Sequence, residues 1–184
     1  MRLTDRYNDA LGFAESIHRM QYRKGTSIPY ISHLMTVSAL TLENGGDEDQ
    51  AIAALLHDAV EDQGGEALLI EIESRFGKKV AQIVADCTDA WVEPKPPWKE
   101  RKVAYIRGLS KKSKTSLLVS LADKTHNAEA ICQDYEEIGD NLWQRFNAGK
   151  DGTLWYYSEL AEAFSTLMPS RLSLRLTKAV SNFS

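Results

Sequence analysis

Apolar positions along the 184-residue chain recur at helical spacing over most of its length. Between residues 4 and 24, Tyr7, Leu11, Ala14 and His18 fall on one stripe with Phe13 and Ile17 beside it, which predicts an amphipathic helix ended by Gly25 and Pro29. Residues 30–43 predict a second helix, with Ile31, Leu34, Met35 and Ser38 on one stripe, His33, Val37 and Leu40 on the next, and Asn44-Gly45-Gly46 closing it. Asp47 can cap a third helix to residue 62, whose segment AIAALLHDAV is apolar nearly all round and therefore central. Shorter helices are predicted at 66–76 and 78–88, split by Gly77, before WVEPKPPW, which holds three of the five prolines and reads as a surface loop. Further helices are predicted at 98–109 and 115–134. The LLVSLA core of the second has a strand-like local pattern, but ADKTHNAEAI extends it to helical length. Leu142, Phe146, Trp155, Leu160 and Phe164 predict two or three more. The expected fold class is all-α, a helical bundle forming a single domain over residues 1–184.

Composition narrows the function classes. A hydrophobic content of 43% supports one well-packed core at this length. A net charge of −4 gives no sequence-wide basic field for nucleic acid or an anionic membrane. No apolar run approaches the roughly 18 residues of a membrane helix, and MRLTDRYNDA lacks the order of a signal peptide. The expectation is a cytoplasmic protein with neither nucleic-acid nor membrane partner, and no pattern specifies an oligomeric state. Cys87 and Cys132 form no close pair and read as buried free thiols.

The sharpest chemical signal is His57-Asp58 inside LLHDAVED. An ionised Asp58 near the end of an apolar helix is costly to bury without a positive partner, and a metal cation is one such partner. Glu61 and Asp62 follow at i+3 and i+4 from Asp58, which on a continuous helix places the acidic pair one turn beyond the HD pair on overlapping faces. Read alone, this segment equally fits a solvated helix end with a hydrogen-bonded core histidine. His33, inside another apolar helix, and Asp123, after LLVSLA, add two more metal-ligating types.

The succession H…HD…D resembles the HD superfamily of metal-dependent phosphohydrolases. AESIHRMQYRKGTSIPYISHLMTV, AALLHDAVED, FGKKVAQIVADCTD and SLADKTHNAEAI are similar to the hydrolase domain of the RelA/SpoT family, in particular its small alarmone hydrolases related to the animal Mesh1 enzymes, over roughly residues 5–165. The resemblance implies an enzyme that removes the 3′-pyrophosphate of (p)ppGpp or (p)ppApp, with a general nucleotide phosphatase or a silent binding module as alternatives. It also implies one Mn²⁺ held by His33, His57, Asp58 and Asp123, acid–base work by Glu61 and Asp62, and nucleotide contacts from Arg23, Lys24, Asn127 and Tyr157. Arg23-Lys24 is expected to close the first helix. His18 is read as a satisfied core or supporting group and His126 as peripheral. The loop GTSIP departs from the family pattern beside the base-binding region, which leaves guanine and adenine open.

Overall fold

A computed structural model describes residues 2–89 and 94–183. Among them lie nine α-helices and no strand: α1 (Asp5–His18), α2 (Ile31–Glu43), α3 (Glu48–Leu56), α4 (Gly65–Phe76), α5 (Lys78–Cys87), α6 (Trp98–Leu109), α7 (Lys114–Ile138), α8 (Gly149–Leu167) and α9 (Arg171–Phe183). A π-helical turn (Val60–Gly64) joins α3 to α4, and a 3₁₀ segment (Gly139–Arg145) joins α7 to α8. The all-α expectation holds. No helix among the described residues is long and apolar enough to cross a membrane. Of the proline-rich stretch, residues 91–93 lie outside the described residues, while Pro94–Pro97 are irregular.

Two helices organise the core. Helix α3 opens with a capping box, in which Asp47 accepts from the Gln50 amide and Gln50 reaches back to the Asp47 amide. Its residues Ala51 to Leu56 are all fully buried, as a helix apolar on every side requires. Helix α7 packs against α2, α3, α5 and α9, burying Leu117, Leu118, Val119, Leu121 and Ala122 just before Asp123. Leu56 is fully buried next to His57, so Leu56→Ala is expected to lower unfolding stability by ~2–5 kcal/mol, checked by denaturant titration.

Local structure departs from the helical pattern at the two places that matter for the site. Helix α1 ends at His18, six residues before the expected point. The chain then turns back on itself: the Gln21 amide donates to the His18 carbonyl, the Arg23 amide to Ile28, the Tyr30 amide to Gln21, and Tyr22 bridges Pro29. Gly25 makes this turn with φ +73, and a Cβ there would meet the Arg145 side chain at 2.7 Å. Arg23 and Lys24 therefore sit on a turn facing the bundle and do not cap a helix.

Helix α3 likewise stops at Leu56, and His57 and Asp58 occupy the turn that follows. The π-helical turn widens the backbone path before Gly65, at φ +55, starts α4. The expected continuous helix to residue 62 is thus replaced, and with it the overlapping faces assumed for the acidic pair. Cys87 and Cys132 are free but half-buried, with Cys132 Sγ 3.0 Å from the Ala179 carbonyl.

Candidate metal centre and adjoining cavities

The first turn of α2, the turn after α3 and the middle of α7 bring His33, His57, Asp58 and Asp123 together. His57 Nε2 lies 3.0 Å from Asp58 Oδ2 and 3.5 Å from Asp123 Oδ1; His33 Nε2 lies 3.6 Å and 3.3 Å from the same atoms. Donor atoms bound at ~2.0–2.2 Å to a single ion stand roughly 3–3.5 Å apart, so this spacing suits one cation. His57 Nδ1–H donates to the Ala54 carbonyl at 2.8 Å, which leaves the Nε2 lone pair for the cluster. Both Nε2 atoms are buried and lack a hydrogen-bond partner. His33, His57 and Asp123 side chains are at most 6% exposed while Asp58 is 23% exposed, so solvent reaches the cluster on the Asp58 side.

The carboxylates are held in place by donors. Tyr30 Oη donates to Asp58 Oδ2, and Asp123 accepts from Lys124 Nζ and Asn127 Nδ2. Burial pushes the Asp58 carboxyl up, but His57 and His33 outweigh it and hold the group well below the usual carboxylate range. For Asp123 burial acts the same way and is outweighed by Lys124 and His57. Burial pushes His57 down, and Asp58 with Asp123 override it and raise the imidazole well above its ordinary value. Two carboxylates facing two imidazoles thus call for positive charge between them. The donor chemistry, the orphaned Nε2 atoms and this electrostatic demand all fit a divalent metal.

Glu61 and Asp62, neighbours in the π-helical turn, point to different partners. Glu61 Oε1 meets Lys95 Nζ at 3.1 Å and Arg101 at 4.0 Å. Asp62 Oδ2 accepts from Gln21 Nε2 at 2.8 Å, and Gln21 Oε1 in turn faces His18 Nδ1 and Gln63 Nε2, each at 2.6 Å. Burial and Asp89 raise Glu61 above the ordinary carboxylate value, with Lys95 opposing. Burial and Asp58 raise Asp62, with Gln21 opposing. Each acid therefore has its own anchor while both sense the cluster.

Two of the nucleotide-binding candidates, Arg23 and Asn127, are linked to the His/Asp cluster. Arg23 Nη2 donates to Asn127 Oδ1 at 2.8 Å, and Asn127 donates onward to Asp123. The Arg23 guanidinium lies 5.9 Å from the Tyr30 ring centroid. Arg23, Tyr30, His126, Asn127, Arg145 and Tyr157 line one cavity of about 300 Å³. Lys24, Asn127, Phe146 and Tyr157 also border a second cavity of about 250 Å³. Burial pushes the Tyr157 phenol up to about 12, so it stays protonated and can donate.

Sequence reasoning missed several participants. His126, expected at the periphery, stacks on His33 with its Nδ1 2.7 Å from His33 Nδ1. Burial, His33 and Arg23 push it down to about 4, so it is neutral at pH 7. Its i+3 spacing from Asp123 on α7 was the available signal. His18 is only half satisfied, since Nδ1 meets Gln21 while Nε2 is buried without a partner. Gln21, Tyr30, Lys95, Arg101 and Arg145 carried no local signal, because their partners lie far away in the chain.

Fold and site together define a helical domain built around a divalent-metal centre of histidines and aspartates. Comparison with known proteins agrees: the HD domain family matches residues 10–154. The chain belongs to that HD-domain family, in its RelA/SpoT-type, Mesh1-like branch. The guanosine-3′,5′-bis(diphosphate) 3′-pyrophosphohydrolase MESH1 of Drosophila melanogaster is 35% identical over 125 residues, 66% of this chain and 67% of that protein. Its Danio rerio counterpart is 37% identical over 122 residues, 65% of each chain. The bifunctional (p)ppGpp synthase/hydrolase SpoT of Escherichia coli is 30% identical over 132 residues, 68% of this chain and 18% of that protein. The solved structure of a metazoan SpoT ortholog that hydrolyzes ppGpp superposes with a TM-score of 0.79 at 26% identity, covering 98% of this chain and 97% of that one.

Proposed function

We infer that this chain is a metal-dependent hydrolase that removes the 3′-pyrophosphate of (p)ppGpp in the cytosol, with Mn²⁺ held by His33, His57, Asp58 and Asp123. The observation that carries the reading is the unbroken chain of hydrogen bonds from Arg23 through Asn127 to Asp123, which ties a nucleotide-sized cavity to the metal cluster. Kinship with the MESH1 pyrophosphohydrolases supports the substrate.

When bound, the cation supplies charge for the phosphoryl oxygens and lowers the pKa of a coordinated water. Arg23, Lys24, Asn127 and Tyr157 hold the nucleotide so that the phosphorus joined to the 3′ oxygen faces the cluster. Water oxygen bonds to that phosphorus, the bond from phosphorus to the 3′ oxygen breaks, and the 3′ oxygen leaves as a hydroxyl. Glu61 and Asp62 take the proton from water and return one to the leaving oxygen. The products are the 5′-nucleotide and intact pyrophosphate.

The test is to incubate metal-loaded protein with ppGpp, ppApp and ordinary 5′-nucleotides and to measure pyrophosphate and orthophosphate separately. Pyrophosphate from ppGpp is expected. Orthophosphate from 5′-nucleotides with no turnover of ppGpp or ppApp would replace this reading with a general nucleotidase. Arg23→Ala is expected to raise KM about 10- to 150-fold, the loss of a charge-assisted contact worth roughly 1.5–3 kcal/mol, in steady-state kinetics on ppGpp.

A further inference from the structure

Gln21 lies in the turn after α1, where its backbone is held on both sides: its amide donates to the His18 carbonyl at 2.9 Å, and its carbonyl accepts from the Tyr30 amide at 2.9 Å. The side chain is left to serve the site. Its amide group meets three side chains, Asp62 Oδ2 at 2.8 Å through Nε2, and His18 Nδ1 and Gln63 Nε2 at 2.6 Å each through Oε1. An ionised carboxylate only accepts hydrogen bonds, so Gln21 turns its NH2 toward Asp62 and its oxygen toward His18. His18 then carries its proton on Nδ1. Its ring is 2% exposed, its Nε2 has no hydrogen-bond partner, and its face stacks on Tyr30 with the ring centroids 5.4 Å apart. Tyr30 Oη in turn donates to Asp58. One buried imidazole thus backs both the partner of Asp58 and the partner of Asp62.

We propose that Gln21 and His18 are positioning residues for the proton transfer assigned to Asp62, and that they leave Oδ1 as the atom through which Asp62 gives or takes the proton. The proposal rests on the hydrolase reading above. Asp62 is solvent-exposed, and an exposed aspartate ordinarily samples several rotamers. The bond from Gln21 removes that freedom. It also occupies Oδ2 in either protonation state, because the C=O of a neutral acid still accepts, so a proton on the group resides on Oδ1. Oδ1 receives no hydrogen bond from the described residues and is left for water or the leaving oxygen. Glu61 is held in another way, by the Lys95 and Arg101 cations, whereas Asp62 depends on a neutral amide that His18 and Gln63 orient.

Two measurements test it. In steady-state kinetics of the metal-loaded protein on ppGpp, Gln21→Leu is expected to lower kcat about 10- to 100-fold while KM and metal content stay within about twofold of wild type, the cost of a misplaced proton-transfer group. His18→Phe keeps a ring against Tyr30 and deletes a buried nitrogen that has no partner, so it guards against a folding defect. It is expected to lower kcat about three- to tenfold, because Gln63 still holds Gln21. In an Asp62→Asn background, Gln21→Leu should cost less than about twofold more, since it acts through Asp62. The second measurement needs no substrate. In carbon-13 NMR of aspartate-labelled protein, the Asp62 carboxyl, assigned against Asp62→Asn, is expected to titrate at least about half a pH unit higher in Gln21→Leu. A donor to the carboxylate is lost there, while Asp58, His18 and Lys95 still act on it. Wild-type kcat in both single variants overturns the assignment, as does an undiminished loss in the Asp62→Asn background, an Asp62 titration that Gln21→Leu leaves in place, or a fall in Tm with metal loss in both variants. A raised Asp62 titration in a protein that leaves ppGpp untouched keeps Asp62 under the control of Gln21 and overturns only the hydrolase reading.

Discussion

Asp58→Ala is expected to lose the bound metal and to lower kcat on ppGpp by about 10³ or more, since the cation's share of transition-state stabilisation is several kcal/mol and each decade of rate is about 1.4 kcal/mol. Asp58 Oδ2 is 3.0 Å from His57 Nε2 and 3.6 Å from His33 Nε2, so its loss leaves Asp123 as the one carboxylate facing both imidazoles among the described residues. The checks are metal content after gel filtration and thermal unfolding with added Mn²⁺. Wild-type protein should gain about 2.7 kcal/mol of stability at a hundredfold excess over Kd, and the variant should gain almost none. An Asp58→Ala protein that retains stoichiometric metal and wild-type turnover would place the ion elsewhere.

Glu61→Gln and Asp62→Asn should each lower kcat by ~10²–10⁴ while metal content stays at the wild-type level, because their proposed work is proton transfer. Stability should move the other way. Burial, with Asp89 near Glu61 and Asp58 near Asp62, raises both carboxyls, so the folded protein disfavours their ionised forms. A raised acid binds its proton more tightly in the folded state: the penalty for ionisation is absent at low pH and develops as pH climbs through the raised value. Near pH 7 the neutral amides escape this penalty, and Tm is expected to hold or rise. Loss of activity with a held or raised Tm is the signature of a group kept for chemistry at some expense in stability. Wild-type turnover in both variants would remove them from the mechanism; a fall in Tm with metal loss would make them structural.

The link between Asp62 and Gln21 also shows why part of the site escaped the sequence. Gln21 and Asp62 are 41 positions apart, and Arg23 and Asn127 are 104 apart, so neither pair leaves a trace in local periodicity. The π-helical turn at Val60–Gly64 was hidden for a related reason. Its residues continue a helical pattern, and the Gly64-Gly65 pair marks an end without specifying how wide the preceding turn is.

Most of the helices were legible because burial imposes a period that composition cannot disguise: α6 runs from Trp98 to Leu109 as expected, and α4 and α5 lie within a residue of theirs. The residue types at 33, 57, 58 and 123 were legible too, since histidines and aspartates inside apolar helices demand a partner. Tertiary structure alone decided the rest. It closed the four to within 3.0–3.6 Å for each His–Asp pair, turned Arg23 inward on the Gly25 bend, drew His126 against His33, and sent Glu61 and Asp62 to separate anchors. Periodicity reports which face of a helix is buried. The atoms that meet across that face are set by how the helices pack and where their ends turn.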